Sequence, residues 1–290
     1  MFLSGGTNPE SLDVFLENPE LKEVPPPTSN PIQKLIQDLR DGILAYPVWL
    51  TLGWQDIRNR YRRSILGPFW ITLSLAITVS MMGVLYGMLF HQNLTLYIPY
   101  LTTGMLIWSF VSIMVNDSTT VFIKSAGIIR QIRLPLSFHV FRIIAKNLFM
   151  FFHNFIVFIV VAILFRVHLG WSIFLFPLAL LILLANTLWV GLLLGAICAR
   201  FRDVEQIIIN FVQILFFITP VIWLPKSLGT RAWISHLNPL TQYFDILRDP
   251  LLGQVPPLLS WVYVAGITTL GWVLTIIFFS KFRARVAYWI

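Results

Sequence analysis

The sequence has few charged residues, a single cysteine and no phosphate-binding loop. Charged side chains make up 12% of its 290 residues, about half the ~25% of an ordinary soluble domain. Cys198 stands alone, which excludes an internal disulfide. No Gly-x4-Gly-Lys-Ser/Thr motif occurs, so the chain carries no P-loop ATPase of its own. The five histidines are scattered without the spacing of a zinc site, and we predict no metal and no cofactor in this chain.

Apolar residues are present in excess. They make up 57% of the chain, and the mean hydropathy is +0.76, which predicts a polytopic membrane protein. The pI of about 9.9 is compatible with nucleic-acid binding, but the basic residues flank apolar runs, where the anionic lipids of the inner leaflet account for them. We therefore expect a membrane partner and no nucleic acid.

The apolar runs predict an all-α membrane protein with six transmembrane helices. Each run is near or above the ~20 residues that a spanning helix needs. With six spans both termini share one side, and that side holds most of the 21 Lys and Arg residues, so it is expected to be cytoplasmic. The opposite side holds Arg166, Lys226, Arg231 and Arg248. The predicted spans are 68–90, 99–123, 138–164, 171–198, 206–224 and 257–280.

Residues 1–33 are predicted to be a disordered, acidic cytoplasmic tail that precedes a permease domain over 34–290. The tail carries several acidic residues against Lys22 alone, and Pro25 to Pro27 stiffen its end. It lacks the basic and apolar regions of a signal peptide, so we expect the N-terminus to stay in the cytoplasm.

An arginine-rich segment over 48–65 is predicted to form an amphipathic helix in the membrane interface. Helical spacing places an apolar face opposite a polar one, and Gly67 then stops the helix. A positive-inside flank that only orients the first span is the alternative. The apolar face consists of Leu50, Trp54, Ile57 and Tyr61, and the polar face of Asp56, Asn59, Arg60 and Arg63.

Two cytoplasmic loops carry clustered charge. The loop after the second span alternates isoleucines with Arg130, Gln131 and Arg133, which predicts a short helix that is either a connector or a docking surface for a soluble partner. The loop after the fourth span, Arg200 to Glu205, is either a second contact or a turn whose charges pair with one another.

Polar and helix-breaking residues interrupt the fifth apolar segment and the region after it. Gln206, Asn210 and Gln213 form one helical stripe that continues to Phe217, and amides on a spanning helix are expected to face other helices or a wet cavity. Prolines and glycines break residues 225–255, which predicts re-entrant helices at the outer face. Asn238 and Pro239 are an N-cap and N1 pair for one of them.

In order and spacing, the segments YRRSILGPFW, ARFRDVEQI, ITPVIW and HLNPLTQYFDILRDPLLG resemble the membrane subunit of polysaccharide-export ABC transporters, a type-2 ABC exporter family. O-antigen export permeases are the nearest group, with capsule and teichoic-acid export permeases as relatives. The resemblance covers about 34–285. It implies a homodimer that binds two separate cytoplasmic ATPase subunits, which hold ATP and Mg²⁺, and that moves a lipid-linked polysaccharide across the bacterial inner membrane.

The resemblance also implies roles for particular positions. Outer re-entrant helices would lie over a channel at 225–253. The ATPase-coupling residues would be Ile128, Ile129, Arg130, Gln131, Arg133, Arg200, Arg202 and Asp203. The gate for the lipid pyrophosphate would consist of Trp54, Arg58, Arg60, Tyr61, Arg62 and Arg63.

Aromatic rings are candidates for the channel lining, because flat rings stack on sugar faces without fixing their register. Ordinary interfacial belts of Tyr and Trp are the alternative. The candidate channel residues are Tyr86, Phe90, Tyr97, Tyr100, Trp108, Gln206, Asn210, Gln213, Phe217 and Tyr243.

Two other functions remain open at this point. A lipid, drug or ion exporter would share the architecture. A membrane enzyme acting on lipid-linked sugar would need clustered acids, bases or metal ligands, and Asp117 beside Asn116 is the only carboxylate within a predicted span.

Overall fold

The computed structural model describes residues 31–62, 64, 66–67, 69–89, 91–231, 233, 235 and 238–290. These residues form helices and short connections without any strand, which confirms the all-α prediction. Residues 1–30 of the predicted tail lie outside the described residues, whereas its last residues, 31–33, begin the first helix. The helices are α1 (Pro31–Leu44), α2 (Tyr46–Arg60), α3 (Phe69–Leu89), α4 (Leu94–Lys124), α5 (Ala126–Gln131), α6 (Leu136–Leu164), α7 (Leu175–Arg200), α8 (Asp203–Ile218), α9 (Pro239–Leu251) and α10 (Leu258–Trp289), with 3-10 helices at Trp171–Phe174 and Pro225–Arg231.

Five helical segments of the described chain are long and apolar enough to cross a membrane, which confirms a multi-pass membrane protein. They are Phe69–Leu89, Leu94–Gln131, Leu136–Leu164, Trp171–Arg200 and Leu258–Arg283. The predicted fifth span is shorter than expected, since α8 has 16 residues and about 24 Å of length at ~1.5 Å per residue. Pro220 explains this, because the preceding Thr219 has the extended ψ of 139° that a proline favours in the residue before it.

Helix α4 is the centre of the bundle. It contacts α3, α6, α7, α8 and α9, and its side chains Leu101, Phe110 and Phe122 are completely buried. The spanning helices therefore pack around one long apolar helix and leave their outer faces uncovered, as expected for helices whose solvent is lipid.

The two ends of the bundle are built differently. At one end α1 packs on the start of α6 and on α10. At the other end α9 packs beside the start of α4, and the Asn238 side chain accepts a hydrogen bond from the Leu240 backbone N–H at 3.0 Å. Pro239 follows as the first helical residue. The predicted N-cap and N1 pair is thereby confirmed.

Candidate functional site

Helix α2, the predicted gate helix, is held against α6 by close packing and an ion pair. A Cβ atom at Gly53 would lie 3.1 Å from the Arg142 carbonyl oxygen, so glycine permits close contact between the two helices. Asp56 accepts two hydrogen bonds from the Arg142 guanidinium, at 2.6 and 2.8 Å. Such a forked ion pair fixes the orientation of the two helices. Trp54 meets Phe149 edge-on, with 5.6 Å between ring centroids.

The predicted apolar face of α2 divides between protein and surface. Ile57 is buried against the bundle, whereas Trp54 is 41% exposed and Leu50 is 36% exposed. The helix ends at Arg60 rather than at 65, because Tyr61 has non-helical torsion angles.

Of the predicted gate arginines, Arg58 and Arg60 are exposed on α2, as is the Trp54 indole, and Arg62 is exposed in the turn that follows the helix. Arg63 lies outside the described residues. An exposed indole beside guanidinium groups suits the headgroup layer of a membrane.

The first predicted coupling segment is α5. Arg130, Gln131 and Arg133 are exposed. Ile128 and Ile129 are half-buried, and Ile129 packs on the core. The Arg130 guanidinium donates a hydrogen bond to the Ile290 carbonyl oxygen, at the end of α10.

The second predicted coupling segment lies beside the same end of α10. The Arg200 guanidinium sits 5.7 Å from the ring centroids of both Phe201 and Trp289. Arg202 and Asp203 are exposed. Among the described residues, the charges from Arg200 to Asp203 and Glu205 form no ion pair with one another, so the self-paired turn is not observed. The structure thus places the two predicted coupling segments on either side of Trp289 and Ile290, each in contact with one of them.

The amide stripe of α8 is exposed in the single chain. Gln206, Asn210, Gln213 and Phe217 all lie at the surface. Gln206 donates to the Asn210 side-chain oxygen at 3.1 Å. Polar side chains on an otherwise apolar helix are costly in lipid, so the prediction that this stripe faces other helices or a wet cavity requires a second polypeptide or water beside α8.

Several candidate channel aromatics act as packing residues within the chain. The Tyr97 hydroxyl donates to the Ile222 carbonyl at 2.6 Å, and the Tyr100 hydroxyl donates to the Pro220 carbonyl at 3.0 Å. Tyr243 donates to the Asn186 side-chain oxygen at 2.8 Å. These bonds hold the residues after α8, and also α9, against the bundle.

Trp108 packs near Phe216 and Phe244, with ring centroids 5.4 and 6.5 Å away. Tyr86 is half-buried against the core. Phe90 lies outside the described residues. A channel role for all these aromatics stays a prediction.

Arg248 on α9 is a buried cation that the sequence did not reveal. The charge pattern of the sequence placed it only among the basic residues opposite the cytoplasmic side, but the side chain is 3% exposed. The guanidinium stacks 3.9 Å from the Tyr100 ring centroid and donates to the Pro220 carbonyl at 2.8 Å. Gly104 makes room for it, since a Cβ there would lie 2.5 Å from an Arg248 nitrogen. These partners are remote in sequence, so no local signal reports the burial.

Asp38 on α1 was also missed. It is 1% exposed, and its carboxylate accepts hydrogen bonds from the backbone N–H groups of Leu136 and Ser137 at 3.0 and 2.9 Å. It also pairs with Arg283 at 2.7 Å. Asp38 therefore caps α6 and joins α1 to α10 at the end that carries both coupling segments.

Asp117, the carboxylate within a span, has a partner. Lys146 donates to it at 2.6 Å and Asn147 at 2.8 Å. Such a pair satisfies a charge inside a membrane helix bundle. Among the described residues, no group of three His, Cys, Asp or Glu side chains is placed to hold a metal ion.

Known proteins match most of this chain. The model of the ABC-2 type transporter family matches residues 47–252. The O-antigen export system permease protein RfbA of Myxococcus xanthus is 26% identical over 239 residues, which cover 80% of this chain and 91% of the relative. A protein of the same name from Klebsiella pneumoniae is 23% identical over 245 residues, with the same coverage of both chains. The family match contains α2, both coupling segments and α9, whereas α1 and α10 lie outside it.

Proposed function

The chain belongs to the ABC-2 type transporter family, and on that premise we propose that it is the permease of an exporter that moves a lipid-linked polysaccharide of the O-antigen type across the bacterial inner membrane. Family membership makes the chain a transporter subunit rather than an enzyme. The names of its relatives support the choice of substrate.

The proposed membrane layout has six crossings with both termini in the cytoplasm. Helix α8 supplies the sixth crossing together with the residues that follow it. In support, Tyr97 and Tyr100 bind the carbonyls of residues 222 and 220 at the far end of α4. The cytoplasmic end then gathers α1, α5 and the end of α10, where basic residues are concentrated as the positive-inside rule expects.

Energy is proposed to come from two copies of a separate ATPase. The ABC-2 family generally works with a cytoplasmic ATPase partner. Its docking surface consists of α5 and the Arg200 to Asp203 segment, and the Arg130 contact with Ile290 and the Arg200 contact with Trp289 support a single joint surface. Motion of the ATPase at either segment then reaches α10 directly.

The observation that carries the transport proposal is the exposed amide stripe on α8. A single chain leaves Gln206, Asn210 and Gln213 uncovered. Two chains that face each other across these stripes would enclose a wet path suited to sugar hydroxyls, which exchange hydrogen bonds with amides. The homodimer with a central channel follows from this.

The lipid pyrophosphate is proposed to bind at the exposed arginines of the gate helix. Guanidinium groups form forked, charge-assisted hydrogen bonds to phosphate oxygens. Arg58, Arg60 and Arg62 are three exposed like charges within five residues, and an anion beside them offsets their mutual repulsion.

Co-purification tests this function. The chain would be expressed with the ATP-binding subunits of its source organism, extracted in detergent with the subunit that binds it, and its bound lipids identified by mass spectrometry. We expect a stable complex that retains a pyrophosphate-linked glycolipid. A complex that carries only phospholipid, from cells shown to make the glycolipid, would contradict the proposed substrate.

A further inference from the structure

A small cavity lies beneath the end of the gate helix, between α2, α3, α4 and α6. Its volume is about 140 Å³, whereas one water needs only ~10–15 Å³ of such a cavity. The cavity therefore admits a group much larger than a water molecule. The residues that define its chemistry are Arg60, Tyr61, Phe110, Phe151, Asn147 and Asn154.

Two buried amides line this cavity with unused hydrogen-bonding capacity. Asn147 is 1% exposed and Asn154 is 5% exposed, and the side-chain oxygen of each has no hydrogen-bond partner. The Asn147 amide nitrogen already donates to Asp117, whereas the Asn154 side chain makes no hydrogen bond with any residue that the structure describes. Buried polar atoms nearly always have partners, and both oxygens are closed off from the cavity as they stand. Because no described residue holds the Asn154 side chain, a turn of its amide is what brings the oxygen to a donor that enters the cavity.

The other residues that line the cavity indicate which kind of ligand carries that donor. Phe110 and Phe151 present apolar rings in an edge-to-face pair, with centroids 5.4 Å apart. Arg60 supplies N–H donors at the mouth. Because the Asn147 nitrogen binds Asp117, this amide can offer only its oxygen to a ligand, and an acceptor oxygen disfavours an anion at that end of the cavity. A sugar fits all three walls, because its hydroxyls donate to amide oxygens and accept from a guanidinium, while its C–H face packs on rings.

We propose that this cavity binds the sugar residue next to the pyrophosphate of the lipid-linked substrate. Arg60 belongs both to the cavity wall and to the proposed pyrophosphate cluster, so a sugar bonded to that pyrophosphate reaches the cavity without crossing the membrane. The assignment rests on the proposed function and deepens it, since it makes the gate helix recognise a glycosylated lipid rather than any lipid phosphate.

One substitution isolates the cavity. Asn154→Leu keeps the approximate size of the side chain and removes a polar group that makes no bond to the described chain, so the variant is expected to fold as stably as the wild type. Asn116→Leu is the matched control. The Asn116 side-chain oxygen is also buried and unpartnered, but Asn116 does not line the cavity.

Binding to two probes tests the proposal. Purified protein in lipid nanodiscs would be titrated with farnesyl pyrophosphate and with farnesyl-pyrophosphoryl-N-acetylglucosamine. We expect the wild type to bind the glycosylated probe more tightly. Asn154→Leu should weaken that binding about two- to tenfold, the contribution of one neutral hydrogen bond, and should leave binding of the sugar-free probe unchanged. Asn116→Leu should change neither.

Three results would overturn the sugar site. Equal wild-type affinity for the two probes, or unchanged binding by Asn154→Leu, means that the cavity holds water only. If Asn154→Leu weakens the binding of both probes equally, the cavity binds the pyrophosphate or the lipid chain rather than the sugar. In these cases the proposed export function stands. A wild type that binds neither probe contradicts the proposed function as well.

Discussion

At the scale of single residues, Asp38 links three elements through one buried carboxylate. It caps α6, pairs with Arg283 of α10 and belongs to α1. Asp38→Ala leaves a cation without its partner and two backbone N–H groups without an acceptor, which we expect to cost about 3 kcal/mol. The melting temperature in detergent should fall by roughly 6–12 °C.

The control for Asp38 is Asp203→Ala, which removes an exposed carboxylate at the start of α8. A helix N-terminal charge is worth about 1 kcal/mol or less. Equal melting temperatures for the Asp38 and Asp203 variants would show that the buried network contributes no more than a surface charge.

Asp249 predicts a dependence of stability on pH. Burial, and then the neighbouring Asp245, raise its pKa to about 7 from an ordinary value of 3.8. A raised pKa means that the folded state binds the proton more tightly than the unfolded state does. The stability contributed by the protonated form is complete below about pH 4 and is lost as the pH rises through about 7.

The measurement is the melting temperature of wild type and Asp249→Asn between pH 5 and pH 8. The wild type should lose stability across this window, and the variant, which has no proton to lose, should lose less. Parallel curves for the two proteins would show that Asp249 does not titrate in this range.

At the scale of elements, the attachment of α2 to α6 depends on the ion pair between Asp56 and Arg142, whose two charges can be swapped. Asp56→Arg and Arg142→Asp should each lower the melting temperature and export, because each places like charges in contact. The double variant restores opposite charges and should recover at least half of both losses. If the losses of melting temperature and export in the double variant equal the sum of those in the single variants, the ion pair does not hold α2 to α6.

The docking surface makes a second prediction at this scale. Arg133 is exposed, whereas Arg130 already binds Ile290, so Arg133→Glu tests docking without breaking an internal contact. We expect loss of the ATPase from pull-downs at an unchanged melting temperature. Lys226→Glu, an exposed charge on the 3-10 helix at the opposite end, is the control. Full recovery of the ATPase with Arg133→Glu would exclude this docking surface.

The elements also show what a sequence predicts and where it fails. Long apolar runs predicted the five spanning segments, and Asn238 with Pro239 predicted the start of α9, because these signals are local. Helix α1 was missed although Ile32, Leu35, Ile36 and Leu39 have helical spacing. The predicted tail included only its first three residues, and the helix has 14 residues, too few to stand out as a span. The burial of Arg248 could not be predicted from the sequence, because its partners Tyr100 and Pro220 lie far away in the chain.

At the scale of the whole molecule, the layout predicts which surfaces face the cytoplasm. Single cysteines would be introduced at Gln131 and at Ser227, both exposed, in a Cys198→Ser background. An impermeant thiol reagent added to intact cells with a permeabilised outer membrane should label Ser227→Cys and not Gln131→Cys. The reverse pattern would invert the proposed topology.

The central claim is ATP-driven export of a lipid-linked glycan by this chain with a separate ATPase. Its direct measurement uses proteoliposomes that contain both proteins and a fluorescent pyrophosphate-linked oligosaccharide, with ATP on the face that carries the ATPase. The account predicts that the glycan becomes accessible to an added glycosidase on the opposite face only when ATP and both proteins are present. Equal accessibility without ATP, or none with it while the ATPase is bound and active, would contradict the claim.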